Sequence, residues 1–176
     1  MSQAQISSHR AASDAQRPIE ASALLTADNN AAEILVVARS RAAQNQLPYS
    51  GCVTPTEAWT LLVRGAARLV DVRSAEELRF VGRVAESLHV AWMSGLSLTR
   101  NPRFTRELEA KVGKSDVIVL LCRSGKRSAA AAEAATKVGF RQVFNVLEGF
   151  EGDLDEQQRR GSFNGWRYYD LPWVQD

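Results

Sequence analysis

The chain has only two cysteines and two histidines in 176 residues, and the cysteines, Cys52 and Cys122, lie far apart. Neither stands in a metal-ligand or disulfide-framework pattern, so no metal, no cofactor and no structural disulfide is expected. No run of about 18 apolar residues occurs, which leaves no candidate for a membrane-spanning helix. The opening residues, MSQAQISSHRAASDAQRP, lack the apolar segment of a secretory leader, and the expected location is the cytoplasm. An excess of one charge is also missing. With 22 basic and 20 acidic residues the net charge is +2, no general basis for a nucleic-acid or membrane partner. Aromatic residues are absent before Tyr49. Residues 1–30, rich in Ser, Ala, Gln and Asn, are therefore expected to form a flexible arm. What the chain does have is length and 45% hydrophobic residues, enough for one ordinary core.

The most informative stretch runs over residues 117–140, VIVLLCRSGKRSAAAAEAATKVGF. Its first five residues form an apolar, partly β-branched run of the kind found in a strand buried on both faces. Residues 129–138 have strong helix propensity, and Gly139 stands where a helix commonly ends in a left-handed residue. Cys122 is thereby placed at the carboxyl end of a strand, just before a helix N-terminus. Ligands of open α/β sheets bind at that edge, where free amides and the helix dipole favour anions. Arg123, Lys126 and Arg127 add positive charge, and no acidic residue occurs from Val117 to Ala132. All these terms favour thiolate over thiol, so Cys122 is expected to be ionised at neutral pH and nucleophilic.

Alternating patterns on either side predict an α/β domain with a mostly parallel sheet. Residues 31–48 are expected to be a helical extension ended by Pro48, although the ILVV run within it also suits a strand. The compact domain is expected from Tyr49 to the C-terminus. Thr54-Pro55-Thr56-Glu57 has the form of a capping box with proline at the first helical position. Arg68 to Val72 reads as a second buried strand, and Ser74 caps a short helix reaching Phe80 or Val81. A loop, MSGLSLTRNP, precedes a helix from about Arg103 to Val112, and Gln142 to Val146 reads as another strand. The tail over residues 161–176 holds five of the thirteen aromatics, Phe163, Trp166, Tyr168, Tyr169 and Trp173. Such density is expected to pack back on the domain, or in part to border the site or receive a partner.

Spacing in the cysteine loop separates two chemistries. Tyrosine-phosphatase-like enzymes place five residues between nucleophilic cysteine and arginine, whereas Arg127 follows Cys122 after four. The loop is one residue short for a phosphate cradle. C-R-S-G-K-R-S, together with Asp71-Val72-Arg73 at the end of the second strand, resembles the rhodanese family. The resemblance covers residues 53–150 and includes Leu147-Glu148-Gly149-Phe150, similar to the family's L-E-G-G. Phe150 replaces the second glycine, at a place where it would narrow the pocket mouth. The family's histidine position holds Arg83.

The resemblance implies a sulfurtransferase that moves sulfane sulfur through a persulfide on Cys122. The implied donor is a small anion such as thiosulfate, a polysulfide or a persulfide, and the acceptor is cyanide or a thiol. Arg123, Ser124, Gly125, Lys126, Arg127 and Ser128 would form the substrate loop. Arg127 braces it in this reading, Arg123 and Lys126 contact substrate or raise the local potential, and Gly125 permits close approach. Ser124 and Ser128 are candidate hydroxyl donors to sulfur, with N-capping the other role for Ser128. Asp71 and Arg73 would support the pocket structurally, and His89 would pack or lie at the surface. Cys52 is a core or surface thiol, or a resolving cysteine. Two further readings stand beside sulfur transfer: a non-catalytic persulfide or redox-sensing module, and a phosphatase or arsenate reductase using the same thiolate.

Overall fold

A computed structural model describes residues 17–175. The strand expected ahead of the cysteine forms over Val117–Leu121, and the rest of the fold is laid around it. Its side chains alternate between two apolar layers, Ile118 and Leu120 in one and Val119 and Leu121 in the other. Both faces are covered, which is why the sequence shows no polar alternation there.

Five parallel strands make the sheet, in spatial order β1 (Gly51–Val53), β7 (Gln142–Val146), β6 (Val117–Leu121), β2 (Arg68–Asp71), β3 (Leu88–His89). Helices α1 (Arg17–Gln44) and α2 (Pro55–Val63) contribute to the layer containing Val119, and α4 (Phe104–Glu109) and α5 (Lys126–Lys137) to the other. Helix α3 (Ala75–Val81) lies between β2 and β3 in sequence, and β4 (Met93–Ser94) pairs with β5 (Thr99–Arg100) in a separate small hairpin.

Local chemistry fixes the short helices. Thr54 and Ser74 each accept from the backbone N–H three residues on, while Glu57 and Glu77 return the bond to the cap backbone. Each capping box therefore satisfies two N–H groups that a helix start leaves open. Glu57 is also held by Arg41 of α1 at 2.6 and 2.9 Å.

Several expectations are corrected. Helix α1 begins at Arg17, so residues 17–30 are helical where a flexible arm was expected; the remainder of that arm, residues 1–16, lies outside the described residues. Asn29 and Asn30 do not stop the helix, since the surrounding Ala, Leu and Glu residues have high helix propensity. Nor is the helix an appendage, because buried Ala31 and Ala38 pack into the Val119 layer. A Cβ on Gly51 would lie 2.3 Å from the Ala38 carbonyl oxygen, so only glycine admits this close approach of helix to strand. Helix α4 stops at Glu109, short of the expected Val112. The MSGLSLTRNP loop contains the β4–β5 hairpin.

The aromatic tail divides. Trp166 is fully buried, edge-on to Trp59 at 6.1 Å, and its Nε1–H donates to the Pro172 carbonyl at 3.0 Å. Trp173 covers Gly82, and Val174 forms an antiparallel bridge with Arg83. Phe163, Tyr168 and Tyr169 remain exposed.

Candidate active site

Cys122 directly follows β6, on the same face as Leu120, and only 1% of it is exposed. The chain turns immediately into α5, which starts at Lys126 rather than at residue 129. Ser128 therefore sits inside the first helical turn, where its hydroxyl donates to Cys122 Sγ at 3.1 Å and lies 3.2 Å from the Gly125 carbonyl oxygen. Gly125 is itself the N-cap residue, at φ 85°, and α5 has no side-chain cap. That left-handed turn suits glycine. The opening N–H groups of an α-helix have no intrahelical acceptor, and here they belong to the turn that holds the sulfur.

The turn after β7 fixes the other side of the loop. The Phe150 N–H donates to the Cys122 carbonyl at 2.7 Å, and the Glu151 N–H to the Arg123 carbonyl at 2.9 Å. Gly149, at φ +67°, is required between them, since a Cβ there would lie 2.5 Å from the Cys122 carbonyl oxygen and 2.6 Å from Ser124 N. Ser124 is half-buried.

The three cations of the loop have different surroundings. Lys126 is exposed. Arg127 makes two bonds to the Glu77 carboxylate, at 2.7 and 2.5 Å, with both side chains largely covered. Burial pushes the Glu77 carboxyl up, but the Arg127 hydrogen bond and charge, with the Ser74 N–H, hold it below the usual value. Arg127 is correspondingly raised, chiefly by its hydrogen bond to Glu77. Arg123 is half-buried, and its Nε is covered without a hydrogen-bond partner. A carboxylate 50 residues distant in sequence thus reaches a loop that has no acid of its own. Nothing local in the sequence points from Glu77 to Arg127.

Asp71 and Arg73 form a fully buried ion pair beside this loop. Arg73 Nη2 lies 2.6 Å from Asp71 Oδ2 and donates also to the Gly82 carbonyl at 2.8 Å. The intervening Val72 N–H donates to the Leu121 carbonyl at 2.8 Å, tying the end of β2 to the residue before Cys122. Phe150 does not narrow a pocket mouth. It is fully buried with the Arg73 guanidinium 4.0 Å from its ring centroid, because its backbone N–H is anchored on the cysteine loop and the ring turns inward. His89 places Nε2 2.9 Å from the Arg73 carbonyl oxygen.

Cys52 is buried on β1, with the Tyr49 hydroxyl 3.8 Å from its sulfur. Burial pushes its thiol up. Strand β7 lies between β1 and β6, so strand spacing alone separates the two cysteines by roughly 9.5 Å, beyond the roughly 7 Å reach of a disulfide. Among the described residues no cluster of three or more His, Cys, Asp or Glu side chains could hold a metal ion. No helix among them is long and apolar enough to cross a membrane.

Residues 54–156, which contain this strand, cysteine loop and helix, match the family model described as Rhodanese-like domain. The chain belongs to this family. The rhodanese-like domain is similar to an uncharacterized protein of Rickettsia rickettsii, 32% identical over 127 residues, covering 69% of this chain and 94% of the relative. It is 33% identical over 111 residues to the chloroplastic thiosulfate sulfurtransferase 16 of Arabidopsis thaliana, covering 62% of this chain and 89% of the relative. Among solved structures, that of Rv0390 from M. tuberculosis matches with TM-score 0.66 and 42% identity, covering 73% of this rhodanese-like domain protein and 99% of that chain.

Proposed function

We propose that the protein is a sulfurtransferase that carries sulfane sulfur on Cys122. Membership of the rhodanese-like family and likeness to a protein named as a thiosulfate sulfurtransferase support sulfur transfer in general. The observation that carries the specific reading is the Ser128 hydroxyl bonded to Cys122 Sγ from the first turn of α5. A sulfur held there faces hydrogen-bond donors, the environment a persulfide anion needs.

In the first half-reaction the Cys122 thiolate attacks the outer sulfur of a donor such as thiosulfate. The donor's S–S bond breaks, sulfite leaves with the electron pair, and Cys–S–S⁻ remains. In the second, an acceptor thiolate or cyanide attacks the outer sulfur, and the Cys122 thiolate departs. The two half-reactions are joined by one covalent persulfide intermediate, so the kinetics are ping-pong. Polysulfides and persulfides enter by the same route. Arg127, neutralised by Glu77, braces the loop; Arg123 and exposed Lys126 supply positive potential to an incoming anion. The Asp71–Arg73 pair holds the neighbouring strand end.

The test is intact mass after incubation with thiosulfate and again after cyanide, on the wild type and on Cys122→Ser. A gain of about 32 Da that cyanide removes, present only with Cys122, is expected. No gain with thiosulfate, polysulfide or an organic persulfide would refute sulfur transfer. Loading without turnover would instead identify a persulfide-sensing module.

A further inference from the structure

A cavity of about 290 Å³ opens beside the cysteine loop, between helix α3 and the β4–β5 hairpin. Phe80 and Val81 of α3 and Leu96 and Leu98 of the hairpin form its apolar walls. Two of its lining residues belong to the loop assembly: Arg123, the neighbour of Cys122, and Glu77, the partner of Arg127. Two of the lining residues each carry a covered atom without a hydrogen-bond partner, Arg123 Nε and Glu76 Oε2. Leu96 is 90% exposed and Phe80 68% exposed at the rim.

Those features do not suit a small inorganic dianion. Apolar walls gain nothing from thiosulfate. Arg123 among the lining residues offers a charge partner to one anionic group. Exposed Leu and Phe side chains around a concavity gain by covering an apolar body.

We propose that this cavity binds the carbon body of the acceptor, an organic thiol with an apolar chain and one anionic group that pairs with the Arg123 guanidinium. The inference rests on the sulfurtransferase reading and names the substrate class for its second half-reaction. Atoms balance without a further reactant: R–S⁻ attacks the outer sulfur of Cys–S–S⁻, giving R–S–S⁻ and the Cys122 thiolate. Cyanide, having no carbon chain, makes no use of the walls.

The experiment loads Cys122 with thiosulfate and follows discharge by intact mass with three acceptors, 6-mercaptohexanoate, 3-mercaptopropionate and cyanide. At equal thiolate concentration the longer acid is expected to discharge the persulfide on the order of tenfold faster than the shorter, from burying roughly two of its three extra methylenes. In Leu96→Ser and in Phe80→Ser that ratio falls toward one, and discharge by the long thiol slows relative to discharge by cyanide. Both side chains are largely solvent-exposed, so neither change threatens folding. Equal wild-type rates for the two acids, or a preference that survives both substitutions, would overturn the proposal. If thiosulfate does not load Cys122, polysulfide or an organic persulfide is used instead; if none of the three loads it, the sulfurtransferase reading fails, and the cavity is then read by titrating hexanoate against the Leu96 and Leu98 methyl signals. Saturable shifts at those methyls would retain the cavity as a site for such chains; their absence would reject it.

Discussion

Replacing Asp71 by alanine would leave the Arg73 guanidinium buried without its carboxylate. Both side chains have zero exposure, and Asp71 accepts from the Arg73 backbone N–H, from Nε and from Nη2. Arg73 would retain only the Gly82 carbonyl and the face of Phe150, with Nη1 already unpartnered. Breaking one side of a buried pair typically costs about 3–5 kcal/mol, against a total stability of about 5–15 kcal/mol. For a chain of this size the expected fall in Tm is roughly 6–20 °C. Urea unfolding followed by tryptophan fluorescence measures the loss directly. The double replacement Asp71→Leu with Arg73→Met removes both charges and is expected to be more stable than Asp71→Ala, since no lone ion remains. A loss below about 1 kcal/mol for Asp71→Ala, or a double variant no better than the single, would refute this account of the strand end.

Glu77 carries a pH dependence of its own. Its carboxyl is held below its unfolded value, so its stabilisation is complete above the ordinary carboxylate range and is lost as pH falls through the lowered folded value. Stability curves from pH 6 to 3 should therefore fall less steeply for Glu77→Gln than for the wild type. Gly149→Ala should destabilise the fold by more than about 1 kcal/mol and slow sulfur loading, because the added Cβ meets the Cys122 carbonyl oxygen. Gly65→Ala, at a similar φ of +63° but with open space around it, should share the backbone penalty and load normally. Trp166→Ala should cost about 3–5 kcal/mol in urea unfolding, as expected for a tail residue seated in the core.

The parts of this fold legible in the sequence are those with a local cause. The five-residue apolar run, the two S/T-x-x-E boxes and the strand over Gln142–Val146 each carry their signal within a few residues. Strand β1, at three residues, is too short to show a period, and the hairpin strands have two residues each. Helix α1 is set by packing of small residues over Gly51, a contact that no local pattern announces. The position of Cys122 followed from the strand and helix around it. The Glu77–Arg127 pair did not, because only the tertiary fold joins capping residue to loop. Phe150 was misplaced for a similar reason: a bulky residue where the family has glycine reads as an obstruction, whereas the guanidinium beneath it makes it a lid on a buried charge.

The bonds from the β7 turn to the cysteine loop also sort the loop's polarity. The carbonyls of Cys122, Arg123 and Gly125 all receive backbone donors, from Phe150, Glu151 and Ala129 respectively. These three oxygens are thereby engaged, while the first N–H groups of α5 have no acceptor within the helix. Backbone dipoles thus add positive potential to that of the loop's side-chain cations. Mobile salt shields the exposed Lys126 but has little hold on dipoles fixed in a covered backbone. Charge arriving on the sulfur would then be supported by chain direction itself, at high ionic strength as at low.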